Sequence, residues 1–534
     1  MNNSALSRFM DTPRKLLIVD LLLVVPFLIL PLFISLPYRV NIFLSWEGAY
    51  RLYLGQTPFE DFGLPMGFGY WLLPTLFFKI FGPTFMALVK AQVLINLISF
   101  ISLRGMLYNL KLKSIAITIT LLVFSLTYII YNFWPWYNHS VVVFEIVALY
   151  FLTGYNSEKT RFKNIIILSL AGFFTFLSFF TKQDVGALCF LICAFLIAYY
   201  SLLDKKIYPV LVYVGAFAIT GVLFITPFLQ DGFTYWFNLG QAPHSSRISL
   251  GLVLDIFFSR SLLEKIYLLA ILIVLYSKFS SWKEFITNRA IFTTSVISIA
   301  LILQSMVTRA TSPLPTDHMN YYHTFALVGI AFFLPWDKLS GRLIPLLTFV
   351  TLLGLSFSEG YWKYVSGVFS DKIKSEPTEK VQAKPWIKSK QGAMRNVTLP
   401  AETQEGIDRL LALPFIKKQN LRVLNMSELT PLAYDVGYTP LTQQPLWYHL
   451  NIGIFQKEVD EFKVKVKNKQ YDLVLFERIP SLTEFYPTEV WMELKSNYVN
   501  IDTFLAPRKL EDSYVDVFIS PELATQYNLK PLKP

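Results

Sequence analysis

Charge is scarce in this sequence. Asp, Glu, Lys and Arg make up 16% of its 534 residues, against about 25% in soluble domains. So little charge cannot cover a soluble surface of this size, which excludes an ordinary globular protein. Cysteine is scarcer still: Cys189 and Cys193 lie in one apolar run. They read as packing residues, and no disulfide framework or cysteine-rich metal site can be built from them. There is no glycine-rich phosphate loop and no internal repeat. A secretory signal is not evident, because the first apolar run, Leu16 to Pro37, is too long and no small-residue cleavage site follows it.

Apolar residues are abundant instead, with 54% hydrophobic, 16% aromatic and a mean hydropathy of +0.44. These values predict an α-helical polytopic membrane protein with a soluble part attached. Apolar runs fall at 16–37, 84–104, 114–132, 138–154, 164–180, 184–203, 207–229, 262–278, 290–308, 319–335 and 342–358. That gives about 11 transmembrane helices if the run 68–82 lies along the membrane surface, since a span needs about 20 residues. Charge supports this count. Arg14/Lys15, Arg104/Lys111/Lys113, Lys159/Arg161/Lys163, Lys205/Lys206, Lys278/Lys283/Arg289 and Lys338/Arg342 then all fall on the cytoplasmic side. The net charge of +11 thus reflects short basic loops and not nucleic-acid binding.

The outer side receives the loop 38–83, the Trp134–Asn138 turn, the Lys182-Gln183-Asp184 turn, the loops 230–261 and 309–318, and everything after about 359. Residues 1–359 therefore form the membrane domain and 360–395 read as a linker. Residues 396–534 read as a soluble α/β domain. Within it, Ala401 to Leu413 and Gln456 to Val466 have helical spacing. Leu421 to Met426, Tyr471 to Phe476 and Tyr514 to Ile519 read as strands.

The isolated polar groups gather on the outer side. Glu47, just past the first span, is placed to accept a proton from a hydroxyl, and a partly dry setting raises a carboxylate's basicity. Asp61 is placed to orient an acceptor or to share a metal with Glu47, while its neighbour Glu60 reads as solvated. Lys182, Arg247 and Arg309 suit an anionic leaving group such as phosphate; at span ends they equally suit lipid headgroups. Asp317, His318 and His323 cluster at the top of the tenth run and suit hydrogen bonding to phosphate or sugar. No third ligand pattern accompanies the histidines, so no metal or other cofactor is expected. Inside the membrane, Glu145 can face the outer site, whereas Asp20 lies near the inner end and can reach water.

Three stretches carry a resemblance. Glu47-Gly48-Ala49-Tyr50, Gly55 to Phe62 and Lys79-Ile80-Phe81-Gly82 follow the order seen in the first outer loop of GT-C glycosyltransferases. The Thr181-Lys182-Gln183 turn and the stretch Asp317 to His323 are similar to other segments of those enzymes. The nearest in style are the bacterial protein O-mannosyltransferase and aminoarabinose-transferase relatives. Trp46 stands where many relatives carry a second acid, which leaves Glu47 as the base candidate and argues against a metal.

The resemblance implies a glycosyltransferase with its site on the outer face. Few cysteines and a composition rich in Lys, Asn, Ile and Phe point to a bacterial inner membrane and its periplasmic face. An endoplasmic reticulum enzyme would share the topology with its site in the lumen. The donor would be a polyprenyl-phosphate sugar and the acceptor a hydroxyl of a lipid, glycan or protein. Reaction would invert the anomeric carbon, with Lys182, Arg247 or Arg309 on the phosphate. Trp134, Trp136, Tyr137, Tyr235 and Trp236 would stack on sugar faces, and Pro445 to His449 would be a contact of the soluble domain. Two other readings stay open. A transporter or flippase of a lipid-linked sugar would favour polar sites at the membrane midplane. A glycan polymerase or ligase would use lipid-diphosphate donors.

Overall fold

The computed structural model describes residues 13–38, 42–237, 249–312, 316–334, 385–390, 392–417, 420–480, 485–507 and 513–532. The expected span 342–358, most of the linker, His244 and Arg247 lie outside the described residues, as does the side chain of Asp317. The chain begins with α1 (Pro13–Ile29), a short strand β1 (Leu36–Pro37), α2 (Ile42–Tyr53), β2 (Phe62–Gly63) and α3 (Leu72–Phe81). Helices α4 (Phe85–Asn109), α5 (Ser114–Thr127), α6 (Tyr137–Thr153), α7 (Arg161–Thr181), α8 (Gln183–Asp204) and α9 (Tyr208–Ile225) follow. Then come α10 (Phe233–Trp236), α11 (Leu250–Asp255), α12 (Leu262–Lys278), α13 (Trp282–Thr287), α14 (Arg289–Thr311) and α15 (Tyr321–Phe333). Six helical stretches, among them Ser114–Tyr131 and Tyr208–Phe228 with their 3-10 turns included, are long and apolar enough to cross a membrane, and the chain is an integral membrane protein.

The helices start where polar side chains can take the first free amides. Thr84 accepts from Ala87 N at 3.2 Å, and Asn288 accepts from Ile291 N at 3.2 Å. Gly82, at φ +80° and ψ 158°, closes α3 with a backbone that favours glycine. Ten of the expected spans coincide with described helices, and the run 68–82 becomes a 3-10 turn plus α3, packed on α2 and α4. Asp20 differs from expectation. It is buried, and it accepts from Arg104 Nε at 2.8 Å and from Thr118 Oγ1 at 2.6 Å. A basic residue assigned to the inner loops thus serves an acid inside the bundle, because an unpaired buried carboxylate is costly.

The soluble part contains β3 (Trp386–Lys388), β4 (Val397–Pro400), α16 (Ala401–Leu411), β5 (Val423–Met426), α17 (Leu432–Val436) and β6 (Gln444–Pro445). After these come α18 (Gln456–Lys467), β7 (Leu473–Arg478), α19 (Thr488–Asn497), β8 (Val499–Leu505), β9 (Tyr514–Ile519) and α20 (Pro521–Gln526). Its main sheet has the order β5-β7-β9-β8, with β5 parallel to β7 and the rest antiparallel. Alternation along these strands makes two faces. Leu424, Met426, Val474, Phe476 and Phe518 pack under α18 and α19. Val423, Leu473, Leu475, Val515 and Val517 join one core with Tyr38, Trp46 and Trp71 of the first loop. Each such buried side chain contributes about 1.5–3 kcal/mol, so the sheet is held on the first loop by shared apolar area.

Two short pairings reinforce that contact. β1 pairs in parallel with β4, and β3 pairs antiparallel on its other side. The last part of the expected linker is therefore a strand. β2 pairs in parallel with β6, placing the Pro445–His449 segment against the first loop. Glu458 caps α18 by accepting from Phe455 N, and its other oxygen accepts from Tyr235 OH at 2.5 Å.

Candidate active site at the domain-facing end of the bundle

Helix ends meet beneath the soluble part. Ser45 Oγ donates to Pro135 O at 2.7 Å, Gly67 N to Phe180 O at 2.7 Å, and Gln183 Nε2 to Phe237 O at 3.2 Å. The polar residues singled out above divide here into two groups.

The first group centres on α2. Glu47 and Arg51 lie one turn apart, and Glu47 Oε1 accepts from Arg51 Nη2 at 2.7 Å and from Nε at 2.9 Å. Arg51 Nη1 donates to Gln56 Oε1 and to Leu441 O, both at 2.9 Å. Gln56 Nε2 donates to Pro440 O at 2.7 Å. A cavity of about 10 Å³ beside the pair is lined by Asn425, Thr430, Tyr438, Gln444 and Tyr448. That is room for about one water. Burial pushes the Glu47 carboxyl above its usual range, and the Arg51 guanidinium pulls against it. Ser45 and Glu47 sit roughly 200° apart around the helix. Glu47 therefore faces the soluble part, and Ser45 faces the Trp134–His139 turn. Asp61 is occupied too: its Oδ2 accepts from Thr57 N at 2.7 Å and closes a local turn. Glu60 is exposed.

The second group lies at the ends of α6, α7, α8, α14 and α15. Lys182 Nζ is 3.0 Å from Ser312 Oγ, 3.4 Å from Thr311 Oγ1 and 3.3 Å from Asp184 Oδ2. Its side chain is only 12% exposed. Arg309 is more fully committed, donating to Glu264 Oε1 and to Arg260 O, both at 2.6 Å. Deeper in, Glu145 Oε2 accepts from Gln304 Nε2 at 2.5 Å. The Tyr321 ring meets that of Tyr128 edge-on at 6.2 Å. His318 packs its ring 5.4 Å from Trp136 and 6.3 Å from His139. His323 points elsewhere, with Nδ1 3.0 Å from Tyr267 OH and its ring stacked on Tyr322.

The turn before α6 completes this group. Asn96 Nδ2 donates to Asn132 O at 2.8 Å, and Tyr128 OH donates to His139 O at 3.0 Å. The side-chain amides of Asn132 and Asn138 are buried and have no hydrogen-bond partner among the described residues. Such groups are rare and mark a place for water or ligand. Among the described residues no three His, Cys, Asp or Glu side chains gather as a metal site requires.

Two crystal structures of ArnT from Cupriavidus metallidurans match this architecture. The apo state has a TM-score of 0.55 at 12% identity, covering 94% of this chain and 97% of that one. The state bound to undecaprenyl phosphate has a TM-score of 0.52 at 11% identity, with the same coverage. The fold is GT-C. At such identity the likeness establishes the fold and nothing finer. No protein-family model matches the sequence, and no curated protein matches it.

Within this GT-C fold, Lys182 pairs with Asp184, Glu145 with Gln304, and His318 packs on Trp136, while Glu47 is engaged by Arg51 and Asp61 by its own turn. Among the described residues, no hydrogen bond or ion pair joins Glu47 to Lys182, Arg309 or Glu145. Asn132, Asn138, His139 and Asp184 carry no role in the sequence reading. A signal for three of them existed in the run Asn132 to His139, where amides and an imidazole interrupt a string of aromatic residues.

Proposed function

We propose that this chain moves a sugar from a polyprenyl-phosphate donor to a hydroxyl acceptor, which is a lipid, glycan or protein, at the periplasmic face of a bacterial inner membrane. The observation that carries this reading is Lys182. Its ammonium sits at a helix junction among two neutral hydroxyls and one carboxylate. A donor phosphate at headgroup depth can replace the hydroxyls and take the charge. The ArnT structure that holds undecaprenyl phosphate has the same fold, which supports a donor of this class.

The buried amides of Asn132 and Asn138 suit sugar hydroxyls, because each amide offers both a donor and an acceptor. Trp136 beside them offers a ring face. Asp184, 3.3 Å from Lys182, takes the acceptor proton once phosphate has claimed the ammonium. The acceptor oxygen then bonds to the anomeric carbon, the carbon–phosphate oxygen bond breaks, and polyprenyl phosphate leaves on Lys182 with inversion. No metal is routed through the site.

The test is release of free polyprenyl phosphate from a panel of polyprenyl-phosphate sugars by purified protein, with membrane glycan extract as acceptor. Lys182→Gln should weaken donor binding at least about tenfold. Asp184→Asn should slow release about a hundredfold while donor binding changes little. A wild type that binds a matched donor but releases nothing would replace this reading with lipid-linked sugar transport.

A further inference from the structure

We propose that Arg51 is a positioning residue that clamps the soluble domain onto α2 and so holds the Trp134–His139 turn in place. The contacts form one line. Leu441 O and Pro440 O, from the soluble part, receive Arg51 and its partner Gln56. Arg51 is also fastened twice to Glu47 on its own helix. From the opposite side of that helix, Ser45 Oγ reaches Pro135 O, next to Trp136. Loosening the clamp therefore loosens the turn that carries Asn138 and Trp136, without touching Lys182.

Three features make Arg51 the residue that holds this line. Its side chain is 2% exposed, so its charge is bearable only with every contact made. The guanidinium donates in three directions, to Glu47, Gln56 and Leu441, which an ammonium cannot copy in one plane. Its guanidinium also sits over the Phe62 ring at 5.5 Å, and Phe62 begins the strand that pairs with β6. Glu47 is on this view part of the clamp. Its role is to keep the guanidinium aimed at the 440–441 carbonyls.

The consequence for turnover rests on the transferase reading above; the consequence for docking does not. Both are read on the full-length protein in detergent. Leu446 N donates across the boundary to Gly63 O at 2.8 Å, so its amide reports docking by hydrogen exchange. Arg51→Gln should speed exchange at Leu446 at least about tenfold. It should lower kcat about tenfold while donor KM stays within about threefold. Arg51→Lys should recover part of both. If Arg51→Gln does not fold, Gln56→Ala should move both readouts in the same direction by less. Glu47→Gln keeps a hydrogen bond to Arg51, so it should retain protection and most of the turnover. The proposal falls if Arg51→Gln leaves exchange at Leu446 unchanged. It also falls if Glu47→Gln abolishes turnover with Leu446 still protected, since Glu47 would then act on the acceptor itself. If the wild type transfers no sugar, faster exchange in Arg51→Gln still supports the clamp, and unchanged exchange still removes it.

Discussion

Replacing Gly48 by alanine should weaken this protein, although the same change in most helices strengthens it. Alanine is better than glycine in a helix by about 1 kcal/mol. At Gly48 that gain meets a wall. An added Cβ would stand 2.0 Å from Cε2 of Trp71. Trp71 is 1% exposed, and its Nε1 donates to Leu44 O at 2.9 Å. The ring cannot retreat without breaking that bond, worth about 1 kcal/mol, and overpacking itself costs about 1–3 kcal/mol. The balance is a loss of about 1–3 kcal/mol. Gly215 in α9 is the control, since nothing lies within 4 Å of its added Cβ. Gly215→Ala should be neutral or gain up to about 1 kcal/mol. Thermal denaturation in one detergent at one scan rate compares the two. If Gly48→Ala proves as stable as the wild type, α2 is not packed on Trp71 as described.

Further outcomes follow from single contacts. Asp20→Ala should cost about 3 kcal/mol, the low end for a broken buried pair because Arg104 keeps some exposure. Asp20→Ala with Arg104→Met should recover most of that loss in the same denaturation assay; no recovery would mean that the pairing is not what matters. Asn138→Leu should leave stability intact or improve it, since it removes an unpaired buried amide that costs about 1–3 kcal/mol. The same variant should lose sugar transfer. A stability loss above about 2 kcal/mol would show that the amide has a partner. Glu47 gives a pH dependence. Burial raises its carboxyl in the folded protein above the ordinary 4.5. The folded state then binds more protons than the unfolded state between the two values. That contribution is complete below the ordinary value and is lost as pH rises through the raised one. Glu47→Gln, which cannot ionise, should therefore gain on the wild type as pH rises from about 4 to 8. A constant difference over that window would mean Arg51 fully offsets the burial.

The sequence alone placed ten apolar helices and the strands β5, β7 and β9, but not β3, β4, β6 or β8. Both depend on local pattern: apolar runs such as 184–203 can only be helices in lipid, and Tyr514 to Ile519 alternates with the period of a strand. It also brought Lys182 and His318 to the same end of the bundle, because loop charge and span count settle which ends go together. Tertiary structure decided what the carboxylates do. Asp20 found Arg104 across 84 residues, and Arg51 beside Glu47 found a carbonyl 390 residues away. Spacing along a chain carries no information about such partners. Which face of α2 meets the soluble sheet was likewise invisible, since both faces of that helix are buried and apolar periodicity needs a face left in water to read against.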